Sequence, residues 1–185
     1  MQRSQSMRKK KYLKITAVVC LLSIGLFSFR PCTPQPLGCP FCTESIISAQ
    51  TFYEDELAFA MVTYKPIFPG HCLIIPKRHM ERFEELTDVE MVAMGRVIRV
   101  VDRIVSEVFK TSSYLLLQKN GVEVGQSVPH IHVHYIPRKK GESSVFVFLT
   151  RMFLAHLLPP VSTEKMAQEV TLLRKAAERL DTAPL

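Results

Sequence analysis

Three of the six histidines in this 185-residue chain stand at alternate positions of one apolar run. They are His130, His132 and His134, within Gly125-Gln126-Ser127-Val128-Pro129-His130-Ile131-His132-Val133-His134-Tyr135-Ile136-Pro137. Alternate side chains of an extended strand share a face. The spacing therefore predicts a strand over 129–136 with a row of three imidazoles, His132 among them, on its exposed face, and with Ile131, Val133 and Tyr135 turned the other way into a core. A neutral imidazole near pH 7 is both a nucleophile and a proton carrier. His-x-His on a strand can also aim two nitrogens at one ion. The row thus points to nucleophilic catalysis or to a metal site. The plain alternative is a half-buried strand with an incidental polar face, and each buried imidazole would then need its own hydrogen-bond partner.

A second block, Pro69-Gly70-His71-Cys72-Leu73-Ile74-Ile75-Pro76-Lys77-Arg78-His79, adds two more histidines to an apolar strand-like stretch. With Gly-Gln-x-Val before it and Pro137-Arg138 after it, the His-x-His-x-His segment resembles the signature of the histidine triad (HIT) nucleotide hydrolases and transferases. The second block is similar to that family's other strand, with its own site histidine at His71. The resemblance runs from about Cys39 to Arg138.

It implies a nucleotide hydrolase or nucleotidyl transferase acting at the α-phosphate of a nucleoside phosphoramidate, a dinucleoside polyphosphate or a similar nucleotide, through a covalent nucleotidyl-histidine. Carried onto this chain, the nucleophile is His132, and His134 and His71 contact the phosphate. Ser127 binds the phosphate or protonates the leaving group, and Gln126 joins it as a substrate-binding position. Gly125, lacking a Cβ, would let the backbone approach the substrate. Two positions depart from the family. Thr63 stands eight residues before His71, where an Asp or Asn commonly holds the ribose hydroxyls; a hydroxyl donates or accepts fewer such bonds than a carboxylate accepts. Lys119 stands where an Asn is common, with Asn120 beside it, and a cation there would favour substrates rich in phosphate charge.

The five cysteines, Cys20, Cys32, Cys39, Cys42 and Cys72, are an odd number that suggests no even disulfide framework. Cys39-Pro40-Phe41-Cys42 has the spacing of a metal-binding knuckle, which needs reduced thiolates, or of a redox pair. Some members of the family carry such a pair ahead of the first strand. There it shares a zinc ion with the histidine after Ile-Pro-Lys-x and with the first histidine of the triad. The resemblance therefore implies a structural zinc on Cys39, Cys42, His79 and His130. Two other functions compete: a zinc-dependent hydrolase using the histidine row as metal ligands around a metal-bound water, and a non-catalytic nucleotide-binding protein.

The formal net charge is +7, yet residues 1–30 hold seven Lys and Arg and no acid, leaving 17 basic against 17 acidic residues. The rest of the chain is balanced, so no nucleic-acid surface is expected. The basic head precedes an uncharged, mostly apolar run over 15–29, the pattern of a signal peptide or short membrane anchor. No small-x-small cleavage site follows, which favours an uncleaved anchor. Charge bias would place the head in the cytoplasm and export the domain, whereas reduced thiolates and a nucleotide substrate favour the cytoplasm. The expectation is membrane association through 15–29, with a cytoplasmic protein as the rival.

The division expected is a head and anchor-like segment over 1–30, a Pro-rich linker over 31–40, a domain core over 39–140 and a C-terminal extension over 141–185. Strands are expected at Thr51–Tyr53, Leu57–Thr63, His71–Ile75 and Ser113–Gln118, besides the histidine strand. Thr87-Asp88-Val89-Glu90 reads as a capping box opening the longest helix, to about Phe109. Met94, Val97, Ile98, Val101, Ile104, Val105 and Val108 give that helix one apolar stripe. A C-terminal helix should start near Ser162 and present Met166, Val170, Leu173, Ala177 and Leu180. The run Val145 to Leu158 is compatible with strand or helix, and His156 within it reads as a packing or surface residue. This order gives an α+β fold, a five-stranded antiparallel sheet with a long helix and a C-terminal helix. The resemblance implies the same HIT-like fold, with two protomers joining their sheets into a homodimer.

Overall fold

The structure is a computed structural model and describes residues 38–157 and 159–181. The anchor-like run 15–29 and most of the Pro-rich linker lie outside the described residues. Five strands, β1 (Thr51–Glu54), β2 (Ala58–Val62), β3 (Cys72–Pro76), β4 (Ser113–Gln118) and β5 (Val133–Arg138), form one antiparallel sheet in the order β1-β2-β3-β5-β4. Among the described residues four α-helices accompany it: α1 (Glu44–Gln50), α2 (Asp88–Phe109), α3 (Val145–Phe153) and α4 (Thr163–Asp181).

The two faces of the sheet follow from the period of two in its strands. Ala58, Ala60, Val62, Cys72, Ile74, Val133 and Tyr135 face one way and are buried with Met94, Val97, Val101, Ile104 and Val105 of α2. The capping box forms as expected: the Glu90 N–H donates to Thr87 Oγ1 at 3.3 Å and the Thr87 N–H donates to Glu90 Oε2 at 2.9 Å. Val170, Leu173, Ala176 and Ala177 of α4 enter the same core. The C-terminal helix is thus part of the domain's packing, and Arg174 fastens it by donating to the carbonyls of Ser48 and Thr51, each at 2.8 Å.

Phe59, Met61, Leu73 and Ile75 point to the opposite face and are covered by Phe41 with Ile46 and Ile47 of α1. Farther along that face, Phe68 and Ile136 pack against Phe148 of α3. The histidines lie on this second face, between the two small clusters.

The structure corrects one expectation, settles a second and adds an element. The strand carrying the histidines begins at Val133, so His134 alone of the row lies in the ladder, opposite Leu73 on β3 and Leu117 on β4. His130 and His132 precede it in a segment tied elsewhere, where the Ile131 N–H donates to the Met80 carbonyl at 2.7 Å. The alternation itself survives, because Ile131 joins Val133 and Tyr135 in the core. Val145 onward resolves as a helix, started by Ser144, whose Oγ accepts the Val147 N–H at 3.3 Å. The side chain of His156 lies outside the described set. The short helix α1 has no counterpart in the sequence reading, because seven residues are too few to show a helical period.

Candidate active site and metal centre

The His-x-His-x-His segment divides its rings between two tasks. His130 is fully buried, and its Nε2 lies 3.0 Å from the Pro76 carbonyl, which requires Nε2 to carry the proton. Its Nδ1 lone pair then faces Cys39 Sγ at 3.3 Å and Cys42 Sγ at 3.5 Å. Cys42 Sγ also lies 3.4 Å from His79 Nδ1. One donor atom from each of Cys39, Cys42, His79 and His130 falls within 4.8 Å of all the others, so these four residues could hold a metal ion. Among the described residues they are the one such group of His, Cys, Asp and Glu side chains. Two sulfurs and two imidazole nitrogens are the donor set of a closed tetrahedral zinc site, and the Pro76 carbonyl is the outer partner that fixes a ligand's tautomer. Burial, then the neighbouring Cys42 thiol, pushes Cys39 up to about 11; a bound cation reverses that preference by stabilising thiolate.

His132 sits two residues on, and it is not on an exposed face as the strand reading expected. It is 6% exposed, with Phe41 edge-on to its ring at 5.1 Å between centroids. Its Nδ1 lies 2.8 Å from the His130 carbonyl, so Nδ1 carries the proton and donates, and Nε2 keeps its lone pair. Burial lowers its pKa, which holds the ring neutral with its lone pair on Nε2.

His71 and His134 form a directed pair. The Ile67 N–H donates to His71 Nδ1 at 3.1 Å, so the neutral His71 ring carries its proton on Nε2. That nitrogen lies 3.0 Å from His134 Nδ1, which must therefore accept. His134 is left with a proton on Nε2, a donor for an anionic oxygen. Burial holds His71 at about 4 and His134 well below the usual imidazole range, in the second case helped by the charges of His132, His71 and Lys119. The result is an unprotonated Nε2 on His132 beside a ring whose free nitrogen is a donor, their centroids 5.0 Å apart.

The other expected site residues divide by their bonds. Thr63 is buried just beyond β2, and Ser127 is exposed on the loop ahead of His130. Lys119 donates to the Gly125 carbonyl at 3.3 Å, and its charge reaches both His132 and His134. Gln126 and Asn120 are committed to the loops. Gln126 Oε1 accepts the Gly121 N–H at 2.6 Å, and its Nε2 donates to the carbonyls of Glu81 and Val128. Asn120 accepts the Phe83 N–H and donates to Glu84, each at 2.8 Å. Both amides therefore shape the loops that flank the row. Gly125 closes the turn Val122–Val124 in the left-handed region at φ 82°, a conformation that glycine adopts freely. The histidine row is not a three-ligand metal site: His130, His132 and His134 turn their Nδ1 atoms to a thiol pair, a carbonyl and His71 respectively. Phe41, which walls His130 and His132, went unnoticed in the sequence, although it lies inside the Cys-x-x-Cys pair.

The chain is similar to proteins of known sequence and structure. A bis(5'-nucleosyl)-tetraphosphatase of Schizosaccharomyces pombe is 42% identical over 98 residues, 53% of this chain and 54% of that protein. A bis(5'-adenosyl)-triphosphatase of Dictyostelium discoideum is 37% identical over 95 residues, 51% of this chain and 64% of that one. The chain thus spans about half the length of the curated relatives it matches. Among solved structures, a zinc-bound histidine triad family protein from Mycobacterium smegmatis superposes with a TM-score of 0.63 at 26% identity, covering 80% of this chain and 98% of that one. A family model described as the HIT domain matches residues 44–141, more than half of the sequence and the whole histidine row, and the chain belongs to the HIT domain family.

Proposed function

We propose that the chain hydrolyses dinucleoside polyphosphates or similar nucleotides, or transfers their nucleotidyl group, through a covalent nucleotidyl-histidine on His132. The observation that carries this reading is the bond from His132 Nδ1 to the His130 carbonyl, which leaves Nε2 with its lone pair beside the donor nitrogen of His134. The names of the two relatives, a tetraphosphatase and a triphosphatase of dinucleoside compounds, support the substrate class.

In the reaction, His132 Nε2 attacks the α-phosphorus, a P–N bond forms, and the P–O bond to the leaving phosphate breaks. His134 Nε2–H stabilises the negative charge that develops on the phosphoryl oxygens, as a fixed donor in a dry site does. Ser127 contacts the phosphate or delivers the leaving group's proton, Lys119 attracts the polyphosphate, and Thr63 holds the ribose. Water then attacks the phosphorus and restores the free imidazole. His132→Ala should lower turnover by roughly 10³-fold or more. Comparable turnover of diadenosine tetraphosphate by that variant would remove the nucleophile from the account.

We assign zinc as the ion suited to Cys39, Cys42, His79 and His130, where it would supply folding energy by tying the 39–42 turn to the loops bearing His79 and His130. A homodimer and a membrane association complete the proposal. Strand β4 is a sheet edge that leaves Tyr114 and Leu116 exposed, which suits pairing with a second copy. The basic head and apolar run of 15–29 suit a lipid surface.

A further inference from the structure

Glu169 of α4 is a half-buried acid that the reaction above does not use. It lies outside the segment 44–141 that matches the family, on a helix held in place by Leu173 in the core and by Arg174 on β1. Its Oε1 accepts the Gly70 N–H at 3.0 Å, across 99 residues of sequence. Burial raises its pKa, while the Gly70 hydrogen bond favours the carboxylate.

Gly70 is the hinge of a tight turn. The His71 N–H donates to the Phe68 carbonyl at 3.1 Å, closing Phe68-Pro69-Gly70-His71 with Pro second and a glycine of φ 83° third. That arrangement is a type II turn, whose middle N–H is not used by the turn itself and can flip with its peptide plane. A Cβ on Gly70 would stand 2.8 Å from Phe109 and 2.9 Å from Val105, so the turn is pressed onto α2 from one side while Glu169 holds its amide. The same turn region sets His71, whose Nδ1 takes the Ile67 N–H and whose Nε2–H points at His134.

We propose that Glu169 is a positioning residue: by holding the Gly70 amide it fixes the turn, and through the turn it keeps the His71–His134 pair in the arrangement that leaves His134 Nε2 as a donor to the phosphate. The inference rests on the nucleotidyl-histidine reading only for its kinetic consequence. The C-terminal helix of this chain then serves the site as well as the core.

Two measurements on the full-length chain test it. In ¹⁵N-histidine spectra without substrate, wild type should show His134 protonated on Nε2. Glu169→Ala should lose that single-tautomer signal and Glu169→Gln, which keeps an acceptor oxygen, should retain it. With diadenosine tetraphosphate, Glu169→Ala should lower kcat about tenfold with KM within about twofold, since a misplaced donor acts on the transition state. Glu169→Gln should recover most of that loss. Should the alanine variant unfold, Glu169→Met, of similar bulk without an acceptor, carries the same expectations. Unchanged tautomer and kcat in a folded Ala or Met variant would overturn the proposal, as would a Gln variant as impaired as Ala. Wild type with the expected tautomer but no turnover would count against the functional reading and leave the positioning role standing.

Discussion

His130 serves two neighbours at once: its ring turns Nδ1 toward Cys39 and Cys42, and its carbonyl takes the Nδ1 proton of His132. The proposed metal centre and the proposed nucleophile therefore share one residue, and loosening the first should disturb the second. A Cys39→Ser, Cys42→Ser double variant should lose the zinc that wild type binds at about one ion per protomer. Its melting temperature and its turnover should both fall; metal analysis showing full retention of zinc would contradict the assignment. His71 gives a residue-level pH dependence. Its pKa is lowered to about 4 by burial, below the value near 6.5 of an unfolded histidine. The stability it contributes is present above about pH 6.5 and is lost as pH falls toward about 4, because the unfolded chain then binds the extra proton. Urea midpoints should drop between about pH 7 and pH 5, and less steeply in His71→Asn. An identical drop in that variant would contradict the account.

At the level of elements, α2 shows what local sequence can specify. Thr87 and Glu90 build both halves of the capping box, and Arg78 adds a pair of 2.8 Å bonds to the Glu90 carboxylate. Those bonds, with the Thr87 amide, hold Glu90 down at about 2. Its folded pKa is thus depressed, so its contribution is complete above about pH 4.3 and disappears as pH falls through about 2. Thr87→Ala should cost about 1 kcal/mol in chemical denaturation. A change too small to resolve would mean that the cap is redundant with the helix's packing. Leu173, fully buried, should cost about 2–5 kcal/mol on truncation to Ala if α4 belongs to the core.

The legible elements were those with a strong period or a cap: the strands, α2 and α4. In α3 nearly every position is apolar, which erases the helical period although Ser144 marks its start. In α1 seven residues are too few to show a period, and Thr43 ahead of it does not mark the start on its own. The row of histidines was legible for the same reason as the strands, through its period of two. Its exposure was not, because the cover over His132 comes from Phe41, far away in sequence. The roles of Gln126 and Asn120 were hidden likewise, since their partners Glu81, Phe83 and Glu84 lie on another loop.

For the whole molecule, balanced charge outside the first thirty residues leaves the sheet edge and the N-terminal run as the features that decide assembly and location. Among the described residues no helix is long and apolar enough to cross a membrane, so any anchoring falls to residues outside them. Fractionation of cells making the full-length chain should place it with membranes and release it when residues 1–30 are removed; recovery of the intact chain wholly in the soluble fraction would exclude the anchor. Leu116→Lys on the β4 edge should shift the sedimenting species from dimer to monomer, and a wild type that sediments as a monomer would exclude the paired sheets. The central claim is the covalent bond at His132. Intact-mass analysis of the chain, quenched during turnover of diadenosine tetraphosphate, should show a nucleotidyl adduct that peptide mapping places on His132 and that is missing in His132→Ala. An adduct-free wild type that still turns over the substrate, or an adduct on another residue, would contradict it.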